Sequence, residues 1–278
     1  MTVYTALAQV YDALTDDVPY AQWAAFAQRA FEQYGRQPHL VLDLACGTGS
    51  LTKLLGQAGY EMIAADLSPE MLTVAREKCS GLPCPPVFLC QDMRELDLYG
   101  TIDAAVCGLD SLNYLLGLRD LRQMFQRVAL FLEPGGLFLF DVKTKRAFEQ
   151  MAGLSSIQEL DGAYCAWQYG YDPQSRLYEH QVDVFLQQPE GTYERRTEYH
   201  VQRCYSREQV EKALAQGGLK LRRVCGGPGF QRVTERTERL FFIAQKPVLP
   251  AETDHKRTTP GKRAETDTKK EQRRSHGR

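Results

Sequence analysis

Several features are missing from this sequence, and each absence argues against one class of protein or partner. No apolar segment approaches the ~20 residues that a membrane-spanning helix needs, so no membrane span is expected. The first residues lack a basic stretch followed by an apolar run, which argues against a secretory signal peptide. The net charge is only -1, so the charge balance requires neither nucleic acid nor an anionic membrane as partner. We expect a cytoplasmic protein.

The cysteines lack the spacing of a metal site. All 8 are scattered, and none forms a Cys-x-x-Cys pair. A zinc site needs clustered Cys or His ligands, so we expect no metal. Several of the cysteines, such as Cys107 and Cys225, lie in apolar runs typical of strands. We interpret them as buried, reduced thiols.

Strand-like and helix-like runs alternate through the first half of the chain. Five short apolar runs read as strands, at Val41–Leu44, Met62–Ala65, Val87–Cys90, Ile102–Cys107 and Leu137–Phe140. These runs are apolar on both faces, as a parallel sheet covered by helices requires. The alternation predicts a doubly wound α/β fold.

The pattern changes between residues 153 and 204. Apolar and polar residues alternate around Tyr178–Leu186 and Tyr193–Val201, which is typical of half-exposed antiparallel strands. A capped helix and two further strands, Leu219–Val224 and Leu240–Ala244, would then complete the sheet. After Lys246 the chain has almost no apolar residues, so we predict a disordered tail.

A glycine turn follows the first predicted strand. Asp43 ends that strand, Gly47 and Gly49 form the turn, and Asp66 ends the next strand about 20 residues on. A carboxylate at that second strand end can accept hydrogen bonds from ribose hydroxyls. The third glycine of dinucleotide-binding turns is missing, and Asp43 suits a ligand with an ammonium group. These residues favour a nucleoside cofactor other than NAD(P), with an NAD(P) dehydrogenase as the alternative that shares the fold.

Four motifs in register resemble those of class I S-adenosylmethionine (SAM)-dependent methyltransferases. They are the glycine turn after Leu40–Leu44, the run Asp66–Leu72, the run Gln91–Met93 and the turn Leu132–Gly136. The resemblance covers about residues 38–142. It implies a Rossmann-like, doubly wound, mostly parallel seven-stranded sheet with a small antiparallel β insert, and SAM as the cofactor.

The resemblance also implies which residues bind the cofactor. Asp43 and the backbone of Ala45, Cys46 and Gly47 would hold the methionine part of SAM. Asp66 would accept the ribose hydroxyls. For Asp66 the alternative is a capping role at the following helix.

The adenine and the sulfonium would lie against later motifs. Leu67 and Met71 would flank the adenine, Asp92 would accept from its amino group, and the Met93 backbone would contact a ring nitrogen. Leu109, at the end of the fourth strand, would lie near the sulfonium. A plain turn acid is the alternative for Asp92.

Four residues are candidates for closing the site and for catalysis. Tyr11 and Tyr20, in the N-terminal lid that the resemblance implies, would close over the cofactor, with core packing as the alternative. Asp110 is a candidate for orienting the methyl acceptor. His200 is the best candidate for a general base, because the pKa of an unperturbed histidine is near neutrality. A surface histidine on a strand is the alternative for His200.

The predicted reaction is in-line methyl transfer to a small-molecule N or O acceptor. The segment Gly108–Tyr114 lacks the proline pair of methyltransferases that modify nucleobase amines. Nucleic acid is therefore disfavoured as a partner, although a tRNA, rRNA or protein acceptor and a non-catalytic SAM-binding role stay open. The oligomeric state is also open, and pairing of the insert's edge strands in a homodimer is one option.

We predict five segments along the chain. They are an N-terminal helical lid (1–37), a SAM-binding core (38–152), an antiparallel β insert that covers the substrate (153–204), the rest of the core (205–246) and the tail (247–278).

Overall fold

The computed structural model describes residue 4, residues 7–34 and residues 37–248. Within these ranges the helices are α1 (Tyr11–Leu14), α2 (Tyr20–Tyr34), α3 (Ser50–Gln57), α4 (Pro69–Cys79), α5 (Leu118–Phe131), α6 (Lys145–Met151) and α7 (Arg207–Gln216). The strands are β1 (Leu40–Leu44), β2 (Glu61–Asp66), β3 (Val87–Cys90), β4 (Ile102–Cys107), β5 (Leu132–Lys143), β6 (Ser155–Leu160), β7 (Ala163–Asp172), β8 (Leu177–Gln187), β9 (Tyr193–Arg203), β10 (Lys220–Cys225) and β11 (Arg239–Gln245). Most of the predicted tail, from residue 249 onward, lies outside the described residues.

Seven strands form one sheet in the order β10-β11-β5-β4-β1-β2-β3. The five strands β1–β5 pair in parallel, whereas β11 pairs antiparallel with both β5 and β10. The predicted fold class is confirmed. Since β1 lies between β2 and β4, the strand order reverses there, and open α/β sheets bind ligands at the carboxyl ends of strands beside such a reversal.

Alternate residues of the central strands supply two hydrophobic cores. Ala105 and Cys107 of β4 join the core that includes the buried residues of α5 and α7. Ala104 and Val106 join the core on the other face, which includes α2 and α3. Successive side chains of a strand point to opposite faces, so one short apolar run serves both cores. This double burial explains why the strand sequences lack polar alternation.

Helix α4 begins where its sequence favours a helix start. The Met71 N–H donates to the Ser68 hydroxyl at 3.1 Å, and Pro69 occupies the first helical position. Ser68 thus satisfies one of the amide groups that lack a partner in the helix, and proline has no N–H to leave unpaired. The cap fixes the start of α4 directly after Asp66, the last residue of β2.

Strands β6–β9 form a separate antiparallel sheet in sequence order. On its inner face Cys165, Val182 and Val184 are buried against Leu7 and Leu14 of the N-terminal segment. The alternation in β8 and β9 therefore reflects one covered face and one exposed face, as the sequence predicted. Both this sheet and the segment before β1 contribute residues that surround the carboxyl ends of the main strands.

The described residues include neither a membrane-spanning helix nor a cluster of metal ligands. No helix there combines the length and apolar character that a bilayer crossing requires. No group of His, Cys, Asp and Glu side chains in those ranges is arranged to hold a metal ion. All eight cysteines are free thiols.

Candidate active site

A cavity of about 350 Å³ lies at the carboxyl ends of β1, β2, β3 and β4. It occupies the place that the strand reversal at β1 predicts for a ligand. The structure brings all the predicted cofactor-binding residues to its wall: Tyr11, Tyr20, Asp43, Ala45, Cys46, Gly47, Asp66, Leu67, Met71, Asp92, Met93 and Leu109.

The turn after β1 places bare backbone at the cavity. Ala45, Gly47 and Gly49 have φ values of 58°, 54° and 76°, in the region that favours glycine. A Cβ on Gly49 would lie 3.0 Å from the Cβ of Ala75, so glycine is required there for close approach of the turn to α4. Gly47 has open space around its missing Cβ. A ligand can therefore approach the backbone at Gly47.

Asp43 is a buried carboxylate, with 2% of its surface exposed. The Thr52 hydroxyl donates to it at 2.5 Å. Burial raises the pKa of Asp43 to about 7, although the Thr52 hydrogen bond opposes the rise. Among the described residues no cationic side chain lies within ion-pair distance of it. A cationic group of a ligand would stabilise the ionised form.

Asp66 holds the turn and faces the cavity. Its two oxygens accept from the Gly47 N–H at 2.8 Å and the Ser68 N–H at 2.9 Å. Burial raises the pKa of Asp66, and these backbone hydrogen bonds oppose the rise. Each carboxylate oxygen has a second lone pair, so Asp66 retains the capacity to accept from two hydroxyl groups. Leu67 and Met71 provide apolar surface beside it.

Asp92 differs from the other two carboxylates because it has a cationic partner. The Arg94 guanidinium donates to both of its oxygens, and the Arg94 N–H donates to one of them at 2.8 Å. The Arg94 side chain lowers the pKa of Asp92. A ligand amino group would share this carboxylate with Arg94. In the sequence, only the two-residue spacing between Asp92 and Arg94 could have indicated this pairing.

A lysine connects the N-terminal segment to the glycine turn. The Lys78 ammonium donates to Asp12 at 2.6 Å, to Thr48 at 2.9 Å and to Ser50 at 2.7 Å. Asp12 also accepts from the Thr48 hydroxyl at 2.6 Å. These contacts hold α1, which begins with Tyr11, against the turn. The sequence reasoning missed this cluster because its members come from three separate segments.

The backbone after β4 is strained at the cavity wall. Leu109 and Asp110 have φ values of 56° and 54°, and neither is glycine. Such conformations cost on the order of 1–3 kcal/mol each and persist where surrounding contacts enforce them. The ion pairs of Asp110 with Lys143 and Arg239 supply those contacts, and they fix Leu109 at the wall.

Asp110, the residue predicted to orient the acceptor, lies in a buried cluster of charges. Its carboxylate pairs with Lys143 at 3.1 Å and with Arg239 at 2.7 Å. The Gln202 amide donates to it at 2.8 Å, and Asp141 also pairs with Arg239. The described lining of the cavity does not include Asp110. We propose that it holds the strand ends together.

His200, the predicted general base, lies behind the described cavity wall. It is 1% exposed, and the described lining of the cavity does not include it. Its Nδ1 lies 3.2 Å from the Tyr114 hydroxyl, and its Nε2 lies 3.2 Å from a Glu198 oxygen. Its ring also lies 4.8 Å from the ring of Tyr4. Tyr4 and Tyr114 both line the cavity, so His200 contacts two residues of its wall that the sequence did not indicate.

Comparisons with known proteins agree with this geometry. A family model described as a methyltransferase domain matches residues 41–136. A Geobacillus sp. (strain WCH70) protein with methyltransferase in its name is 33% identical over 248 residues, which are 87% of this chain and 99% of the relative.

The chain is also similar to solved structures, of which two are described here. A SAM-dependent methyltransferase from Clostridium acetobutylicum ATCC 824 superposes with a TM-score of 0.78 and 29% identity, covering 88% of this chain and 100% of the other. The sugar N-methyltransferase KedS8 from Streptoalloteichus sp. ATCC 53650 gives a TM-score of 0.71 at 21% identity, covering 89% and 97%.

Proposed function

The chain belongs to the class I SAM-dependent methyltransferases, and we propose that it methylates an amine or hydroxyl group of a small molecule. The observation that carries the proposal is a pair of carboxylates, the buried Asp43 and the partly buried Asp66, at adjacent strand ends around a glycine turn. SAM carries an ammonium group and a ribose diol, which are the two ligand groups that these carboxylates suit.

The residues present fit SAM along the length of the cavity. Asp43 would pair with the ammonium of the methionine part, and Asp66 would accept from the ribose hydroxyls. Leu67 and Met71 would pack on the adenine. Tyr11 would cover the methionine part, because the Lys78 contacts hold α1 against the glycine turn.

SAM supplies a methyl group on a positively charged sulfur, which leaves as a neutral thioether when the acceptor takes the methyl carbon. The chain's own contribution is position, and Leu109 presents a fixed wall where the fourth strand ends. An amine or hydroxyl acceptor also loses a proton. The Tyr114 hydroxyl faces the cavity and can accept it while passing its own proton to Nδ1 of His200.

The small size of the proposed acceptor rests on how the cavity is covered. Tyr4 lines the cavity, and its N–H donates to Glu198 of β9 at 2.7 Å, which joins the N-terminal segment to the insert. Such a cover restricts access to the cavity, which favours a small acceptor over a macromolecule. The structurally similar KedS8, a sugar N-methyltransferase, supports the same choice.

The test measures cofactor binding and methyl transfer separately. Calorimetry with S-adenosylhomocysteine (SAH) should show one bound molecule per chain. Asp66→Ala should weaken binding roughly 100-fold, because hydrogen bonds to a charged group contribute about 1.5–3 kcal/mol each. Asp66→Asn keeps the side-chain shape, and Asp161→Ala changes an exposed carboxylate of the insert as a matched control.

Transfer from tritiated SAM into fractionated cell extract then identifies the acceptor class. We expect label in the small-molecule fraction, and none with Asp66→Ala. Label confined to RNA or protein would contradict the proposed acceptor. Folded protein that takes up neither SAM nor SAH would contradict the cofactor assignment.

A further inference from the structure

A second cleft, of about 550 Å³, lies beside the cofactor cavity. Leu109 belongs to the walls of both. Its other walls come from the start of α2, around Trp23, and from the loop at residues 226–238 between β10 and β11. A molecule in this cleft would therefore lie directly next to the residue that bounds the cofactor cavity at the end of β4.

The cleft carries an excess of positive charge. Arg232, Arg236 and Arg239 line it, and Glu238 is the acidic residue among its described lining. Asp110 and Asp141 neutralise Arg239. Arg232 and Arg236 have no carboxylate within ion-pair distance among residues 4, 7–34 and 37–248. Two guanidinium groups are thus available to a ligand.

The described lining of the cleft favours a ligand rich in hydrogen-bond acceptors. Arg232 and Arg236 each carry a guanidinium group, which donates hydrogen bonds and accepts none. Trp23 also lines the cleft, with 2% of its surface exposed, and supplies apolar surface beside them.

The arginines lie on a loop with a fixed backbone. The Gly226 N–H donates to the Gln231 carbonyl at 2.8 Å, and the Thr234 N–H donates to the Thr237 hydroxyl at 2.9 Å. The first bond ends directly before Arg232, and the second encloses Arg236. A fixed loop lowers the entropic cost of binding because less of the chain is ordered by the ligand.

We propose that this cleft binds an oxyanion, a carboxylate or a phosphate, carried by the methyl acceptor. Arg232 and Arg236 are its charge partners. The amine or hydroxyl of the same molecule then extends past Leu109 into the cofactor cavity. This inference rests on the proposed methyl transfer and adds the chemical class of the acceptor.

The test titrates small oxyanions into SAH-saturated protein by calorimetry. Inorganic phosphate, pyrophosphate and succinate serve as probes at constant ionic strength, so the phosphate and carboxylate sources are distinguished. We expect at least one probe to bind with a dissociation constant below about 1 mM. The double variant Arg232→Gln, Arg236→Gln should weaken that binding about tenfold or more. Arg222→Gln removes the same charge from an exposed position on β10 outside the cleft and should leave binding unchanged.

Each contrary result has a distinct meaning. If no oxyanion binds to the wild-type chain, or if the double variant binds as well as wild type, the oxyanion site is overturned. SAH binding is measured on every variant and should stay at the wild-type level. The oxyanion titration is repeated without SAH, so loss of SAH binding in the wild type would count against the proposed function while the cleft is still tested.

Discussion

Two regions meet at the neighbouring residues Leu109 and Asp110: the cofactor cavity, which is the cofactor side, and the buried charge cluster around Asp110. They are formed by different kinds of contact. On the cofactor side, Asp66 accepts from Gly47 across 19 residues, and Asp43 accepts from Thr52 across 9. On the other side, Asp110 contacts Gln202 across 92 residues and Arg239 across 129. The first side depends on one compact stretch of chain. The second exists only after distant segments have folded together.

The carboxylates on the two sides differ in the same way. Burial alone would raise the pKa of Asp110, but Lys143 and Arg239 lower it to about 2. Asp43 has no such partners among the described residues, and burial raises its pKa to about 7. An acid that the protein has already neutralised serves the fold, whereas an acid without a cation is available to a ligand.

The largest effect should come from Asp110→Ala. Removing one member of a buried charge cluster leaves its partners uncompensated, so the free energy of unfolding should fall by about 3–5 kcal/mol. Denaturant unfolding measures it. Glu194→Ala, which breaks the exposed pair with Arg196, is the control and should leave the free energy of unfolding close to that of the wild type.

If Asp110→Ala has the stability of the wild type but loses SAH binding, the distinction between a structural Asp110 and a ligand-binding Asp43 is wrong. That result would place Asp110 among the ligand-binding residues. Folded Asp110→Ala protein should bind SAH at near wild-type strength, because Asp110 does not line the cofactor cavity.

The sequence predicted the cofactor side well for a physical reason. The close approach at Gly49, the cap at Ser68 and the carboxylate at Asp66 are each local consequences of strand, turn and helix starts. Because parallel strands bring their carboxyl ends to one edge of a sheet, the residues at those ends share one cavity.

Contacts between distant segments could not be predicted in the same detail. His200 and Tyr114 are 86 residues apart, and only the folded insert brings them within 3.2 Å. Residue type suggested His200 as a base that contacts the acceptor, but its burial depends on the packing of β8 and β9. The sequence also did not indicate that Arg232 and Arg236 line a cleft, because the sequence of a loop does not show which part of the fold its side chains face.

The next largest effect concerns Asp43 and pH. The ammonium of SAH needs the ionised carboxylate, so SAH affinity should rise up to tenfold per pH unit as pH rises toward about 7, and level off above it. Calorimetry from pH 5 to pH 8 measures the slope. Asp43→Asn should bind SAH more weakly and without this slope, whereas Asp161→Asn should keep it.

The same group predicts the pH dependence of stability in the ligand-free protein. Its folded pKa exceeds its ordinary value of 3.8, so the folded state holds a proton that the unfolded state releases between about pH 4 and pH 7. The Asp43 contribution to stability is therefore present below pH 4 and lost as pH rises through 7. Asp43→Asn should lack that loss, and an equal loss in Asp43→Asn would assign it to other groups.

The smallest effect should come from the contacts that hold α1 on the glycine turn. Lys78 pairs with Asp12, and the two side chains are 17% and 45% exposed. Partly exposed pairs contribute up to about 1 kcal/mol, so Lys78→Met should weaken SAH binding about two- to fivefold. Because α1 covers the methionine part in our proposal, the change should appear mainly as faster SAH release, which stopped-flow measurement resolves. Lys145→Met removes an exposed lysine from the pair with Glu149 in α6 and should leave release unchanged. If Lys78→Met alters only the unfolding free energy, then these contacts stabilise the turn without retaining the ligand, and closure of the cofactor side depends on Tyr4 and the insert instead.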